Sequence, residues 1–269
     1  MTALALPLPL AVPLSPPLKW AGGKRWLVPH LAPLWQPFST RRLVEPFCGA
    51  AGVALALTPE RALLNDRNPH VMNFFRWVQR GLQTTLWMEN DRELYYVHRR
   101  HFNQLQREGG SETAEAAALF YFLNRTGFNG LCRFNRRGEF NVPFGRYGHI
   151  EYVRDFTAYR GLLARWELSS VDFEALQLGD DDFVYADPPF DVPFTQYAQE
   201  GFGWEEQVRT AEWLAKHKGP VLLSNQATDR IIALYKRLGF KLRFLDAPRR
   251  ISCTGDRTPA REVLAARNL

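Results

Sequence analysis

The stretch from residue 41 to residue 66 constrains the fold of this chain more than any other part of it. Residues 41–47 predict a strand that opens into a tight loop, and residues 48–52 supply that loop with small side chains. A helix is predicted to begin at 53–57, and residues 62–66 predict a second strand that ends in an aspartate. This order is half of a nucleotide-binding α/β sheet, whose ligands lie where the strands end. The loop lacks a complete G-x-G-x-x-G pattern, so NAD is not specifically indicated.

The rest of the chain continues the sheet pattern after an interruption. Residues 69–125 show helical periodicity rich in aromatic and arginine side chains, and within them residues 113–124 predict a helix. Residues 131–134 and 139–142 flank the sequence N-R-R-G, which predicts a β-hairpin with a glycine in its turn. Strand, strand, helix, strand, helix and strand then follow at 166–172, 184–186, 204–216, 221–224, 229–238 and 240–245. The predicted fold class is therefore α/β, with a helical and hairpin insertion in the sheet.

The tetrapeptide Asp187-Pro188-Pro189-Phe190 follows a predicted strand and would lie at its carboxyl end. Asp187 and a backbone carbonyl fixed by proline can accept both hydrogens of an exocyclic amino group. Phe190 can stack on a flat ring. These residues together suit the binding of an amine-bearing heterocycle. The same sequence also occurs in ordinary loops, so the tetrapeptide alone leaves that alternative open.

Positive charge is concentrated in the predicted hairpin and its flanks. The whole chain carries a formal net charge of +6, which favours a polyanionic partner. Residues 124–147 hold five arginines and one glutamate, a net charge of +4. A two-stranded ribbon fits the major groove of DNA, where arginine reads guanine and asparagine reads adenine. The alternative is a solvated, charged hairpin with no ligand.

Several classes of protein are disfavoured by the remaining composition. The three cysteines are widely spaced and form no C-x-x-C pair, which argues against a disulfide framework or a zinc site and fits a reducing cytoplasm. The Leu/Pro-rich start has no basic residue before Lys19, unlike a secretory signal, and its prolines would break a helix. No apolar run is long enough to span a bilayer. We expect a cytoplasmic, monomeric protein with neither a metal nor a membrane partner.

Seven short motifs occur in the order found in one enzyme family. They are P-L-K-W-A-G-G-K at 17–24, V-E-P-F-x-G-A at 44–50, N-R-x-G-F-N-G-L-C-R at 124–133, R-G-E-F-N-V-P-F-G-R-Y at 137–147, D-P-P-F at 187–190, F-T-x-Y at 194–197 and S-N at 224–225. In these residues the chain resembles the Dam-type DNA adenine methyltransferases of the D12 class, or alpha group. The similarity runs from about residue 17 to residue 265, nearly the whole chain.

The resemblance implies a fold, an activity and a cofactor. The fold would be a Rossmann-like S-adenosylmethionine-dependent methyltransferase sheet with an inserted helical and β-hairpin DNA-recognition domain. Residues 1–16 would form a tail, residues 17–68 and 154–269 the catalytic domain, and residues 69–153 the recognition domain. The implied activity is methyl transfer from S-adenosylmethionine to the exocyclic amino nitrogen of adenine in double-stranded DNA, at GATC. The family uses no metal.

The resemblance also assigns residues to the cofactor and to the reaction. Trp20 and Lys24 would close over the cofactor. The turn beside its methionine part would consist of Glu45, Phe47 and Gly49. Asp66 would accept the ribose hydroxyls, which agrees with the position of an acid after the second strand. The remaining cofactor contacts and the catalytic group would be Asp172, Phe173, Asp187, Pro188, Pro189 and Phe190, with Asp187 in both sets.

DNA contacts are implied for residues of the insertion and for one lysine before it. Arg133 would read a guanine and Lys19 would touch the outer guanine. Phe128 and Asn129 would form an intercalating or strand-holding pair. The other expected contacts are Leu131 and Pro143 near a thymine methyl, Arg136 and Arg137 at phosphates, and Arg125 and Tyr147 elsewhere in the interface.

Three positions depart from the usual family pattern. Phe190 replaces the tyrosine of D-P-P-Y, and Phe128 replaces the tyrosine of the intercalating pair, so both rings lack a hydroxyl. Ala51 stands where the family's F-x-G-x-G loop has its final glycine. Two other functions stay open: an aminomethyltransferase with another target, and a catalytically silent DNA-binding protein with the same fold. The insertion argues against the first, and the intact Lys24, Asp66 and Asp187 argue against the second.

Overall fold

A mixed β-sheet of seven strands forms the centre of the protein. The computed structural model describes residues 13–191, 202–248 and 260–269; the predicted motif at 194–197, Cys253 and most of the predicted tail lie outside them. The strands are β1 Arg42–Glu45, β2 Arg61–Asn65, β3 Trp166–Ser169, β4 Phe183–Ala186, β5 Val221–Gln226, β6 Lys241–Ala247 and β7 Ala260–Arg267. Their order in the sheet is β3-β2-β1-β4-β5-β7-β6.

The sheet has a switch point between β1 and β4. Strands β1 to β5 run parallel, whereas β7 is antiparallel to both β5 and β6. From β1 the chain builds outward to β2 and β3, and then returns to start the other half at β4. Connections leave β1 and β4 in opposite directions, which opens a crevice at their carboxyl ends. Ligands of open α/β sheets lie in such a crevice. The predicted α/β fold class is confirmed.

Eight α-helices are defined within the described residues: α1 Val28–Trp35, α2 Gly52–Leu57, α3 Pro69–Arg80, α4 Arg92–Arg107, α5 Ala114–Thr126, α6 Thr157–Leu163, α7 Trp204–Lys216 and α8 Asp229–Arg237. Side-chain caps fix four of their starts, because Asn68, Asp91, Thr113 and Thr228 each accept a bond from a first-turn N–H. The predicted bounds of α7 are confirmed, and those of α5 and α8 hold within two residues. Helices α1 and α6 and strand β7 were not predicted.

Both faces of the sheet are covered, as a parallel sheet requires. One face packs against helices α3 to α5 in a core rich in aromatic rings, which joins Leu43 and Leu64 of the sheet to Phe74 and Phe120 of the helices. The other face packs against α7 and α8 around Val184, Val221 and other apolar residues. No helix within the described ranges is long and apolar enough to cross a membrane.

The predicted hairpin at 131–142 is only partly correct. The chain reverses at 135–138 as expected, since Gly138 N–H bonds to Asn135 and Asn135 N–H to Glu139. Regular strands do not form, and the two sides share one antiparallel bridge, Phe134 to Phe140. Side chains within the segment take groups that a ladder would need, because the Glu139 N–H bonds to Asn135 Oδ1 and Arg133 donates to the Asn141 carbonyl. Side chains of α4 bond to the groups on the outer edge, which point away from the opposite side of the turn. Asn103 bonds to both the N–H and the carbonyl of Phe140, and the Val142 carbonyl accepts from Tyr95 and Arg99.

Candidate active site

Asp187 lies directly after β4, in the crevice at the switch point. Its side chain is 21% exposed. The Ser224 hydroxyl donates to Asp187 Oδ1 at 2.7 Å, and the Tyr185 hydroxyl lies 3.0 Å from Ser224 Oγ. Because Ser224 gives its one proton to the carboxylate, Tyr185 must donate to Ser224. This chain of hydroxyls orients Oδ1 of Asp187, while Oδ2 forms no hydrogen bond with a described residue.

Lys24 brings a buried positive charge to the same place. Its side chain is 4% exposed, and Nζ lies 3.3 Å from Asp187 Oδ1 and 3.8 Å from Glu262 Oε2. Nζ also donates to the Gly22 carbonyl at 2.8 Å and lies 4.2 Å above the centre of the Phe190 ring. The structure therefore brings together Asp187 and Phe190, which the tetrapeptide itself combined in one site, and Lys24, which was added on resemblance. Glu262, from β7, is an addition.

The carboxyl groups around Lys24 are poorly solvated. Burial raises the pKa of Glu45 to about 8, and the negative charge of Asp187 adds to this rise while the Ala54 N–H opposes it. Burial likewise raises the pKa of Glu262 to about 7, and Lys24 opposes that shift. The pKa of Asp187 is also raised by burial, against the opposing effects of Lys24 and Ser224. Such clusters of perturbed groups in a cleft are typical of functional sites.

The small-residue loop after β1 is held against Trp20 and Asp66. Gly49 has a φ of +48°, and a Cβ there would lie 2.5 Å from Nε1 of Trp20, so only glycine fits. Asp66 accepts the N–H of Gly49 at 2.9 Å and that of Asn68 at 2.8 Å, and burial raises its pKa. Ala51, the departure from the family pattern, has a φ of +55°, a left-handed conformation that costs a residue with a Cβ about 1 kcal/mol.

Asp172 and Phe173 lie beside this loop and are already engaged. Asp172 forms two bonds of 2.8 Å with Arg209, which lowers the pKa of the carboxyl. Phe173 is 3% exposed and packs against Phe47, with ring centres 5.4 Å apart. Arg209 covers the other side of the Phe173 ring at 4.2 Å. Contacts with Arg209 and Phe47 thus fix Asp172 and Phe173 beside the loop.

Asn68 lies at the start of α3 and contacts the segment at residues 132–134. Its side-chain amide donates to Cys132 Sγ at 3.3 Å, and its carbonyl oxygen caps α3 by accepting the N–H of His70 at 3.0 Å. The His70 ring stacks on Phe134 with ring centres 4.6 Å apart. Two contacts therefore join the end of β2 to residues 132–134.

The predicted intercalating pair lies at an exposed corner. Phe128 is 48% exposed, and its N–H donates to the Pro143 carbonyl at 2.9 Å. Asn129 has a φ of +52°, a conformation that asparagine tolerates better than most residues. Leu131 follows them and is half-buried. A pocket of about 240 Å³ adjoins this corner and is lined by Phe128, Asn129, Phe144, Gly145, Arg146 and Tyr147.

Lys19 and Arg125 are partly buried beside that corner. Lys19 Nζ donates to the Arg125 carbonyl at 2.9 Å and lies 3.6 Å above the Tyr147 ring. Burial lowers the pKa of Lys19 to about 8, and the charge of Arg125 lowers it further. The pKa of Arg125 is itself lowered by burial. The Tyr147 hydroxyl donates to the Gly127 carbonyl at 2.7 Å, which fixes the ring under the lysine.

The arginines of the turn fall into two groups. Arg133 is half-buried, and its Nε donates to Asn141 Oδ1 at 2.8 Å, so its orientation is set within the segment. Arg136 and Arg137 are exposed at the tip of the turn. Arg133 is therefore held by a bond within the segment, whereas Arg136 and Arg137 are exposed to solvent; the contacts of all three with DNA stay predictions.

Four residues of the site were not assigned a role from the sequence: Tyr185, Ser224, Arg209 and Glu262. Ser224 had a signal, because it belongs to the S-N motif. Tyr185 lies inside an apolar strand, where a tyrosine is ordinarily a packing residue. Glu262 lies on β7, and its approach to Lys24 depends on a strand pairing that no local pattern indicates.

Comparison with known proteins gives a consistent result. The sequence profile of the D12 class N6 adenine-specific DNA methyltransferases matches residues 20–249. The chain is 38% identical to the DNA adenine methylase of Vibrio cholerae, over 92% of this chain and 94% of the relative. It is 34% identical to a DNA adenine methylase of Escherichia coli, over 92% and 93% respectively. It is also 34% identical to a type II methyltransferase of Lactococcus lactis subsp. cremoris, over 88% and 89%.

Proposed function

Because this chain belongs to the D12 class of N6 adenine-specific DNA methyltransferases, we propose that it methylates the exocyclic amino nitrogen of adenine within GATC in double-stranded DNA. The observation that carries the chemistry is the grouping of Asp187, the Pro188 carbonyl and the Phe190 ring at the sheet's switch point. Within the described part of the chain no donor reaches the Pro188 carbonyl oxygen, so it is available to a ligand.

The residues of the crevice fit S-adenosylmethionine. Oε1 of Glu45 is buried with no hydrogen-bond partner among the described residues, which suits an ammonium or N–H group of a ligand. Gly49 lets the Trp20 ring pack against the loop backbone, and Asp66 has acceptor capacity left for ribose hydroxyls. Trp20, Lys24, Phe47, Asp172 and Phe173 would line the rest of the site. When bound, S-adenosylmethionine supplies an electrophilic methyl group on its sulfonium.

The amino group of adenine is a weak nucleophile, because its lone pair is delocalised into the ring. Asp187 and the Pro188 carbonyl would accept the two amino hydrogens and localise that lone pair. The nitrogen would gain the methyl group as the bond between that methyl group and sulfur breaks, which leaves S-adenosylhomocysteine as the product. The nearby carboxylate of Asp187 would stabilise the positive charge on the nitrogen, which would then release one proton to water. No covalent bond between the enzyme and the base is required, so the buried Cys48 has no catalytic role.

The base must leave the duplex before these contacts can form. Flipping costs a few kcal/mol, and stacking on Phe190 would return about 1–3 kcal/mol of it. Phe128 is exposed enough to enter the space that the base leaves. Residues 69–153 would form the recognition domain, with Arg133 and Lys19 at guanines and Leu131 and Pro143 near a thymine methyl.

The decisive experiment measures methylation of duplexes by the purified protein with S-adenosylmethionine. We expect methyladenine at GATC and none on duplexes in which GATC is altered. Asp187→Ala should lower the rate at least about 100-fold, because it removes an acceptor and a charge that stabilises the transition state. The matched control is Asp181→Ala, an exposed aspartate before the same strand, which should keep the wild-type rate.

Two results would contradict the proposal. Asp187→Ala with a near-normal rate would remove the catalytic assignment. A wild-type protein that binds DNA but not S-adenosylmethionine in calorimetry would instead be a silent DNA-binding protein with this fold.

A further inference from the structure

A buried pair of amide side chains lies behind the D-P-P-F loop. Gln207 of α7 is 2% exposed and Asn225 of β5 is fully buried. Asn225 Nδ2 donates to Gln207 Oε1 at 2.9 Å and to the Tyr235 hydroxyl oxygen at 3.1 Å. The pair is thus fixed from the core side by α7 and β5. Asn225 belongs to the S-N motif, whereas Gln207 belongs to none of the seven motifs.

The pair holds the loop on both sides of the stacking ring. Gln207 Nε2 donates to the Pro189 carbonyl at 2.6 Å. Asn225 Oδ1 accepts the backbone N–H of Asp191 at 3.3 Å. Phe190 lies between these two attachment points, so its backbone cannot rotate without breaking one of them. Pro189 has no N–H, so its carbonyl is the one backbone group at that position that a hydrogen bond can hold.

The hydrogen bond from Gln207 also determines which backbone carbonyl of the loop is available to a ligand. The Pro189 carbonyl is turned inward to Gln207, whereas the preceding Pro188 carbonyl keeps no partner among the described residues. The Pro189 carbonyl is therefore used by the core, and the Pro188 carbonyl is free to accept from a ligand. An amide is suited to this task because it donates to Pro189 with one end and accepts from Asn225 with the other.

We propose that Gln207 is a positioning residue for methyl transfer, which sets the Phe190 ring and the Pro188 carbonyl at the geometry that a flipped adenine requires. This inference rests on the proposed function. Gln207 touches neither base nor cofactor and acts through the loop. Because misplacement of reacting groups by about 1 Å can cost about 100-fold in rate, a side chain behind the loop can control the chemical step.

Three variants test this proposal. Gln207→Leu removes both ends of the amide while Asn225 keeps its bond to Tyr235. Gln207→Glu keeps the acceptor for Asn225 but places a carboxylate against the Pro189 carbonyl, unless the new acid is protonated and donates. Thr210→Val is the matched control, because Thr210 lies one turn along α7, is 1% exposed, and its hydroxyl bonds to no described residue.

The measurements are the single-turnover rate constant on a GATC duplex, the half-saturating concentrations of DNA and S-adenosylmethionine, and thermal unfolding of each variant. We expect Gln207→Leu to lose about 10- to 100-fold in rate with half-saturation changed by less than about threefold. Gln207→Glu should recover relative to wild type as the pH falls from about 8 to 6, because protonation restores the donor. Thr210→Val should keep the wild-type rate.

The outcomes separate this inference from the function on which it rests. A wild-type rate in folded Gln207→Leu, or equal losses in Gln207→Leu and Thr210→Val, overturns the positioning role. If Gln207→Leu does not fold, a pH profile of Gln207→Glu parallel to that of wild type overturns it. A wild-type protein that places no methyl group on adenine refutes the proposed function itself.

Discussion

Replacement of Glu45 with glutamine should change how the stability of this protein depends on pH. The Glu45 carboxyl is buried at the end of β1, and its pKa is raised from 4.5 to about 8. The folded state therefore holds a proton that the unfolded chain releases above about pH 4.5. The free energy of unfolding should fall as the pH rises from there to about 8, by up to about 1.4 kcal/mol per pH unit for this group.

Between pH 5 and pH 8 this slope amounts to at most about 4 kcal/mol, a large share of the stability of an ordinary domain. Glutamine keeps the shape of the side chain and cannot ionise. The fall in unfolding free energy with rising pH that Glu45 causes should therefore disappear in the variant. Glu262, whose pKa is raised to about 7, should leave a smaller decline of the same sign in the variant. The variant should thus equal wild type near pH 5 and exceed it at pH 8.

The assay is urea unfolding of both proteins at several pH values from 5 to 8. Glu60→Gln, which removes an exposed carboxyl just before β2, serves as the control for a simple change in net charge. Parallel curves of unfolding free energy against pH for wild type and Glu45→Gln would refute the reasoning, because they would mean that Glu45 ionises as easily in the folded state as in the unfolded chain.

Two further predictions concern the reaction and the reading of DNA. Phe190→Ala should destabilise the flipped base by about 1–3 kcal/mol, whereas Phe190→Tyr should stay within about tenfold of the wild-type rate; a harmless alanine in the same single-turnover assay would make Phe190 a packing residue. Arg133→Ala should lose about 1–3 kcal/mol of discrimination at one guanine, measured as relative methylation of GATC and single-mismatch duplexes. Alanine at Arg136 or Arg137 should weaken binding to all sequences alike and lower the salt slope by about one unit each; a uniform loss with Arg133→Ala would place that residue among the phosphate contacts.

The local sequence pattern was sufficient to predict those strands and helices whose own residues show clear periodicity. Strands β1 and β2 are short and apolar between turn residues, and α7 is amphipathic with two glutamates in its first turn, so their bounds were predictable. Strand β7 was missed because A-R-E-V-L-A-A-R has no strand-like alternation. It is a strand because it fits between β5 and β6, a partnership set by tertiary packing.

The candidate site likewise contains some residues that local sequence patterns indicate and others that only tertiary packing brings in. Asp187, Lys24 and Asp66 each lie in or beside a short contiguous segment with a recognisable pattern, so the amino-acid sequence was sufficient to name them as candidates. Glu262 of β7 approaches Lys24, and Gln207 of α7 holds the D-P-P-F loop from behind, so both contacts depend on tertiary packing. The hairpin does not become a regular ribbon, because side chains of Asn135 and Arg133 bond to backbone groups that the ladder would use.

Asn68 makes the effects of substitutions in two parts of the molecule interdependent. It bonds to Asp66 on one side and to Cys132 on the other, next to Arg133. Residues linked through one shared partner give changes in free energy that do not sum, and departures of about 0.5–3 kcal/mol are common for such pairs. The energetic cost of a substitution at Asp66 therefore depends on the conformation of residues 132–134, the segment proposed to contact DNA. Single substitutions made one at a time would assign the wrong free-energy contribution to each of the two residues.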